Sequence, residues 1–256
     1  MGQSIFVFLC LSLFNFAHAE TRPYVDTMIV VAVDVSGSVD DNEYNIQKSG
    51  IIEAFSDPSV QRLLLQCSTS GIGITYVEWS GSSQSNAFVS VNPFVQVIPW
   101  VRLLSPQDMI EFANRLLGSP RSSRGETDIA RGLGFARGLL EKAPFESHNR
   151  IVSLSTDGQQ GFTIPGVSTE DFLKSERDKL ASLGVTINAI GIESTAQADP
   201  RGMGFMPTSE DKTMEVYLNE NVRSGSNSFV TPAADFEAYS EAFKKQLYVM
   251  MNACIS

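Results

Sequence analysis

The chain has 256 residues, of which 43% are hydrophobic and 19% charged, a composition that supports a packed core and excludes disordered, collagen-like and low-complexity classes. Lys plus Arg number 19 against 29 Asp plus Glu, a formal net charge of −10 that opposes binding to nucleic acid or anionic lipid. In chain order, Met1–Ala19 comes first and carries no Asp, Glu, Lys or Arg; its apolar run Ile5–Phe16 ends in Ala17-His18-Ala19. That pattern reads as a secretory signal peptide over residues 1–19, cut before Glu20, with one domain over 20–256. The run is shorter than the roughly 18 apolar residues that span a bilayer and it holds Asn15, so no integral membrane span is expected after cleavage.

Met28–Val33, Ile151–Leu154 and Val185–Ile190 are short β-branched or apolar runs, each suited to a strand buried on both faces of a parallel sheet. Helical patterns lie between them. Asp41–Phe55 follows Asp40 with Glu43 three positions on, a capping box; Ser105–Leu117 opens on Ser105-Pro106 with Asp108; Asp128–Lys142 and Thr169–Leu183 follow, the latter ended by Gly184. Ile72–Trp79 and Ala87–Val97 flank a polar, turn-forming stretch and predict an antiparallel hairpin at one edge, where Pro93 is tolerated. Ser228–Val230 predicts a last short strand. Ala233–Met251 places Phe236, Tyr239, Phe243, Leu247 and Met250 at helical spacing, so these are expected in the core. Alternation of strand and helix without a linker or repeat gives one α/β domain. Gly191–Lys212, with Pro200, Gly202, Gly204 and Pro207, reads as a long loop, either functional or a plain insertion.

Cleavage also removes Cys10 and His18, leaving Cys67, Cys254 and His148. Two cysteines in an oxidising compartment permit one disulfide, worth about 3 to 5 kcal/mol for so long a loop; two buried free thiols are the other reading. No Cys/His cluster exists for zinc. His148, in Glu146-Ser147-His148-Asn149, is expected to be a solvated loop residue, and no Gly-x-Ser-x-Gly elbow accompanies it.

The chemistry gathers at Asp34-Val35-Ser36-Gly37-Ser38, directly after the first strand and before a capped helix. Loops at the carboxyl ends of parallel strands line the ligand crevice of open α/β sheets, and hydroxyls with carboxylates make a hard-oxygen site suited to Mg²⁺ or Mn²⁺. The same residue types also satisfy backbone donors in such turns, so a purely structural role stays open for this segment alone. Gly125-Glu126-Thr127-Asp128 precedes another helix and Ser155-Thr156-Asp157-Gly158 follows another strand.

Taken together, Asp34-x-Ser36-x-Ser38, Thr127 and Asp157-Gly158 resemble the metal-ion-dependent adhesion site of von Willebrand factor type A domains, over about Asp26 to Met251. Asp34–Tyr44, Tyr76–Gly81, Val185–Ile192 and Tyr217–Val230 are similar to a group of bacterial exported proteins built of this domain alone and of undescribed function. The resemblance implies a three-layer, Rossmann-like α/β fold: a central, mainly parallel sheet with one antiparallel edge strand and helices on both faces. It implies that Ser36 and Ser38 ligate Mg²⁺ or Mn²⁺ directly, Thr127 directly or through water, and Asp34 and Asp157 mostly through water. An open position would then accept a carboxylate from a protein or polymer partner. Glu78 and Trp79, at the end of the second strand, and Gln159 and Gln160 are candidates for the rim, against a buried Trp79 and an ordinary polar loop tip. The family layout also brings Cys67 and Cys254 to the pole opposite the metal, implying that they pair.

The expected function is an exported, periplasmic or secreted, non-enzymatic adhesion module of bacterial source. A structural or envelope-assembly factor with an incidental metal is the alternative, and a Mg²⁺-dependent phosphoryl transferase or hydrolase is a weaker one. Aspartyl phosphotransferases commonly place a second acid two positions after the nucleophile, where this chain has Ser36.

Overall fold

The computed structural model describes residues 21–82, 92–193 and 213–252. The described residues form a six-stranded sheet in the order β3-β2-β1-β4-β5-β6. The strands are β1 (Thr27–Asp34), β2 (Ile72–Trp79), β3 (Phe94–Leu103), β4 (Asn149–Thr156), β5 (Val185–Ile192) and β6 (Val230–Ala233). All neighbours pair in parallel except β2 and β3, which are antiparallel. The helices are α1 (Asp41–Ser56), α2 (Pro58–Cys67), α3 (Pro106–Leu117), α4 (Ile129–Glu141), α5 (Thr169–Ser182), α6 (Met214–Asn221) and α7 (Tyr239–Asn252).

Period-two alternation in β1 divides the interior. Ile29, Val31 and Val33 pack with α1, α2, α3 and α7 on one face; Met28, Val30 and Ala32 pack with α4, α5 and α6 on the other. Every residue of β1 is therefore buried, which is why its sequence is continuously apolar rather than alternating. Burying one such Val or Ile side chain contributes about 1.5–3 kcal/mol. The five residues at helical spacing near the carboxyl terminus are all in this core, although α7 itself starts only at Tyr239 and Phe236 precedes it. α1 and α7 approach so closely that a Cβ on Gly50 would stand 2.9 Å from the Ser240 Cα.

Capping boxes begin α1 and α3 where the sequence places them: Asp40 Oδ1 accepts from the Glu43 amide at 2.8 Å, and Ser105 and Asp108 reciprocate. The edge hairpin is antiparallel as expected; Ala87 to Val91 of the expected second strand lie outside the described residues, and β3 spans Phe94–Leu103, running past the expected end at Val97. Its register slips twice against β2, around Val97 and around Pro99-Trp100, and these bulges admit a proline inside the strand. Two helices escape the periodicity: α2, started by Asp57 and Pro58, and the short α6. The signal peptide over 1–19 and most of the Gly191–Lys212 loop lie outside the described residues, as does Cys254 and hence the Cys67–Cys254 pairing. No helix among the described residues is long and apolar enough to cross a membrane.

Candidate metal centre

Strand order reverses between β1 and β4, whose following chains leave towards opposite faces. In open α/β sheets the crevice outside such a switch point is where ligands bind. Asp34 is the last residue of β1 and Asp157 follows the last residue of β4, so the two carboxylates meet there. Thr127 arrives from the loop before α4, whose N-cap is Asp128.

These side chains form one connected set. Thr127 Oγ1 donates to Ser36 Oγ at 3.3 Å, Ser36 Oγ and Ser38 Oγ share a hydrogen bond of 3.1 Å, and Ser38 Oγ donates to Asp157 Oδ1 at 2.8 Å. Asp34 is fully buried; its Oδ1 accepts from the Ser36 amide at 2.7 Å and its Oδ2 from Thr156 Oγ1 at 2.6 Å. Thr156 is a positioning residue that sequence reasoning passed over; its signal was a hydroxyl closing the strand one place before Asp157.

The three loops are also tied through their backbones: the Gly37 amide donates to Gly125 O at 2.7 Å and the Gly161 amide to Thr127 O at 2.9 Å. The chain after β2 joins them, the Gly81 amide donating to Glu126 O. A Cβ on Gly125 would fall 1.9 Å from Gly81 O, so only glycine allows this approach.

The electrostatics ask for a cation. Burial, then the facing charge of Asp157, push the Asp34 carboxyl well above the usual carboxylate range, against the opposing hydrogen bonds from Thr156 and Ser36. Burial likewise raises Asp157, with the Ser38 hydrogen bond opposing and Glu43 adding to the rise. Asp157 Oδ2 is buried and has no hydrogen-bond partner among the described residues. Two desolvated carboxylates with a free oxygen, beside three hydroxyls, fit a hard divalent ion by the chemistry of the donor set. Among the described residues no group of three or more His, Cys, Asp or Glu could hold a metal, so an ion here depends on Ser36, Ser38 and Thr127.

Three of the four rim candidates are not on the rim. Glu78 and Trp79 are fully buried, because β2 lies between β1 and β3 with helices over both faces. The Glu78 carboxylate instead accepts from Tyr44 Oη at 2.8 Å, Tyr76 Oη at 3.3 Å and the Ser122 amide at 2.7 Å. Gln160 is buried too: its Oε1 caps α4 by accepting from the Ala130 amide at 2.8 Å, and its Nε2 donates to Asp128 Oδ1 at 2.9 Å. Gln159 alone is exposed beside Asp157-Gly158. His148 is exposed, near the Tyr24 ring.

Comparison with solved structures finds the same architecture elsewhere. The pilus adhesin SpaC from Lactobacillus rhamnosus GG is similar with a TM-score of 0.61 at 16% identity, over 90% of this chain but 31% of that one. Proximal thread matrix protein 1 from the mussel byssus, with a zinc-occupied MIDAS motif, gives 0.59 at 19% identity over 90% of this chain and 48% of that one. The vWF domain of the pilus tip protein Mfa5 from Porphyromonas gingivalis gives 0.52 at 10% identity, covering 88% of this chain and 96% of that one. The chain thus spans about a third of the adhesin and about half of the mussel protein. No curated protein matches it by sequence. The architecture is that of a von Willebrand factor type A domain, and by the match over residues 24–253 the chain belongs to the family described as Protein of unknown function (DUF1194).

Proposed function

We propose that this chain is an exported, non-enzymatic adhesion module that captures an acidic group of a protein or polymer through a divalent cation, Mg²⁺ or Mn²⁺, held by Asp34, Ser36, Ser38, Thr127 and Asp157. Residues 1–19 are read as its export signal and 20–256 as the module. The observation that carries the reading is the connected set of four side chains from three loops, Thr127, Ser36, Ser38 and Asp157, joined to Asp34 through the Ser36 amide, with Asp157 Oδ2 buried and without a hydrogen-bond partner among the described residues. Its likeness to adhesion proteins and to a zinc-occupied domain supports a divalent ion in general.

When bound, such an ion supplies an electron-poor centre able to accept a carboxylate oxygen. The neutral hydroxyls of Ser36, Ser38 and Thr127 would be ligands that leave the ion's charge uncancelled. Asp34 is held by the Ser36 amide and Thr156, which fixes its orientation. Ser38 is aligned by its bond to Asp157, so both would turn from pairing with each other to pairing with the ion. Gln159, like Ser38 and Glu126, is exposed beside the site, where a partner would meet it.

Calorimetric titration of Mg²⁺, Mn²⁺ and Zn²⁺ into chelated protein, residues 20–256, tests this reading. Saturable binding that an Asp34→Ala, Ser36→Ala variant loses by roughly a hundredfold or more is expected, as a direct hydroxyl ligand and a water-mediated carboxylate both go; no binding in either protein refutes the site. The likeness to a thread matrix protein favours a second reading, a structural factor with an incidental ion. Under that reading, partner capture survives EDTA.

A further inference from the structure

We propose that Arg121 is the positioning residue of this centre: its guanidinium gathers the carbonyls of the β1–α1 loop and thereby sets the conformation that presents Ser36 and Ser38, an inference that rests on the cation reading above. Arg121 Nη2 donates to Val35 O at 2.9 Å, Ser36 O at 2.8 Å and Val39 O at 2.8 Å, and Nη1 donates to Asp40 O at 3.3 Å. Its Nε donates to Ser123 O at 3.1 Å in the loop that leads to Thr127. One side chain, 8% exposed, therefore joins two of the three loops that supply the donors.

Backbone carbonyls that converge repel one another unless a donor neutralises them, and buried ones must be satisfied. Guanidinium is the side chain that can do this for several at once, because it presents five N–H groups in a rigid plane and never accepts. The plane is itself held. Tyr44 places its ring 5.4 Å from the guanidinium carbon, and its hydroxyl is fixed by Glu78. Glu78 also accepts from the amide of Ser122, the residue after Arg121. Asp41, 3.5 Å from Nη1, supplies an exposed counter-charge. The buried Glu78, displaced from the rim, thus becomes the anchor of the residue that shapes the site. A lysine in place of Arg121 brings one point charge and cannot span these acceptors.

The test uses amide hydrogen exchange in the chelated protein, where no metal contributes, together with Mn²⁺ affinity read by electron paramagnetic resonance. In Arg121→Lys and Arg121→Gln, the Ser36, Gly37 and Val39 amides should exchange roughly tenfold or more faster, while Val31 and Val152 in the strands keep wild-type rates. The same variants should bind Mn²⁺ roughly tenfold or more weakly. In Arg121→Gly, millimolar methylguanidinium, but not equal NaCl, should restore slow loop exchange. Wild-type loop exchange and Mn²⁺ affinity in the variants overturn the proposal, as does faster exchange spread evenly over the sheet, which marks plain destabilisation. A wild-type protein that binds no Mn²⁺ overturns the cation reading, while the exchange arm, run without metal, still decides whether Arg121 sets the loop.

Discussion

The two ends of the sheet are built from the same strands and differ in what they do with polarity. At the carboxyl end, buried carboxylates and hydroxyls from three loops are locked to one another and to the backbone, down to the Gly125–Gly81 approach. At the amino end, Asp26, Thr27, Asn149, Thr186 and Asn188 line an open cavity of about 960 Å³ together with Tyr24 and His148. The one carboxylate there among the described residues, Asp26, already accepts from Ser68 Oγ at 2.8 Å and the Ser70 amide at 2.6 Å, and no second carboxylate faces it in the cavity. Closely packed charge at one end therefore stores free energy that an ion can release, whereas the other end, whose single carboxylate is already satisfied, stores little.

The sharpest way to break that contrast is Gly125→Ala. Its methyl group collides with the Gly81 carbonyl, and backbone cannot rotate away as a side chain can; a loss of about 3 kcal/mol is expected by chemical denaturation, at the upper end of overpacking costs. His148→Ala at the opposite end should stay within about 0.5 kcal/mol, as exposed positions do.

The next test concerns sign rather than size. Asp34 and Asp157 have raised pKa values, first from burial and, for Asp34, then from its partner's charge. An acid whose folded pKa exceeds its unfolded one binds its proton more tightly when folded, so it destabilises at high pH and the penalty fades as pH falls toward the unfolded value of about 4. Chelated protein should therefore gain stability on acidification from neutral pH, until other groups protonate. Asp157→Asn should raise the melting temperature of the chelated protein by about 2–4 °C, equivalent to about 1 kcal/mol for a chain of this size. The same variant should erase the stabilisation that saturating Mn²⁺ gives the wild type, about 2.7 kcal/mol at a hundred times Kd. A variant less stable than wild type without metal would contradict the account of stored repulsion.

The last test lies away from both ends. Asp57 caps α2 by accepting from the Ser59 amide and pairs with Lys244 of α7, whose hydrogen bond is the largest of the contacts holding its carboxyl below the usual range. That contribution is present above about pH 4 and is lost as pH falls through the depressed folded value, the reverse of Asp34. Asp57→Ala should cost about 1 kcal/mol at neutral pH through the lost cap, and less in acid. Equal loss across the range would remove the pairing from the explanation.

How far the sequence reached follows from where each signal is local. β1 was legible because burial on both faces leaves an unbroken apolar run, and α1 and α3 because their capping boxes are contained within four residues. α2 was hidden because Asp57 both ends α1 and starts the next helix, so no loop interrupts the pattern. α6 has eight residues, little more than two turns over which to show a period. The five proposed ligands could be read from motifs, yet the rim could not. Whether Glu78 and Trp79 face solvent depends on β3 covering β2, which is a fact about pairing and not about neighbours in sequence. Arg121 sits in the stretch Ser119-Pro120-Arg121-Ser122-Ser123, which has no periodicity, and its acceptors in the β1–α1 loop lie more than eighty positions away.

The bulges in β3 have a consequence for how copies of the chain meet. A long outermost strand with a regular row of free amides and carbonyls would invite another chain to zip onto it. Around Val97 and Pro99 that row is broken twice, and Pro99 contributes no N–H at all. The flank is thus self-limiting: neighbours crowded together after synthesis find no continuous template there, and the hazard of runaway sheet growth is removed by two misplaced residues and one missing hydrogen.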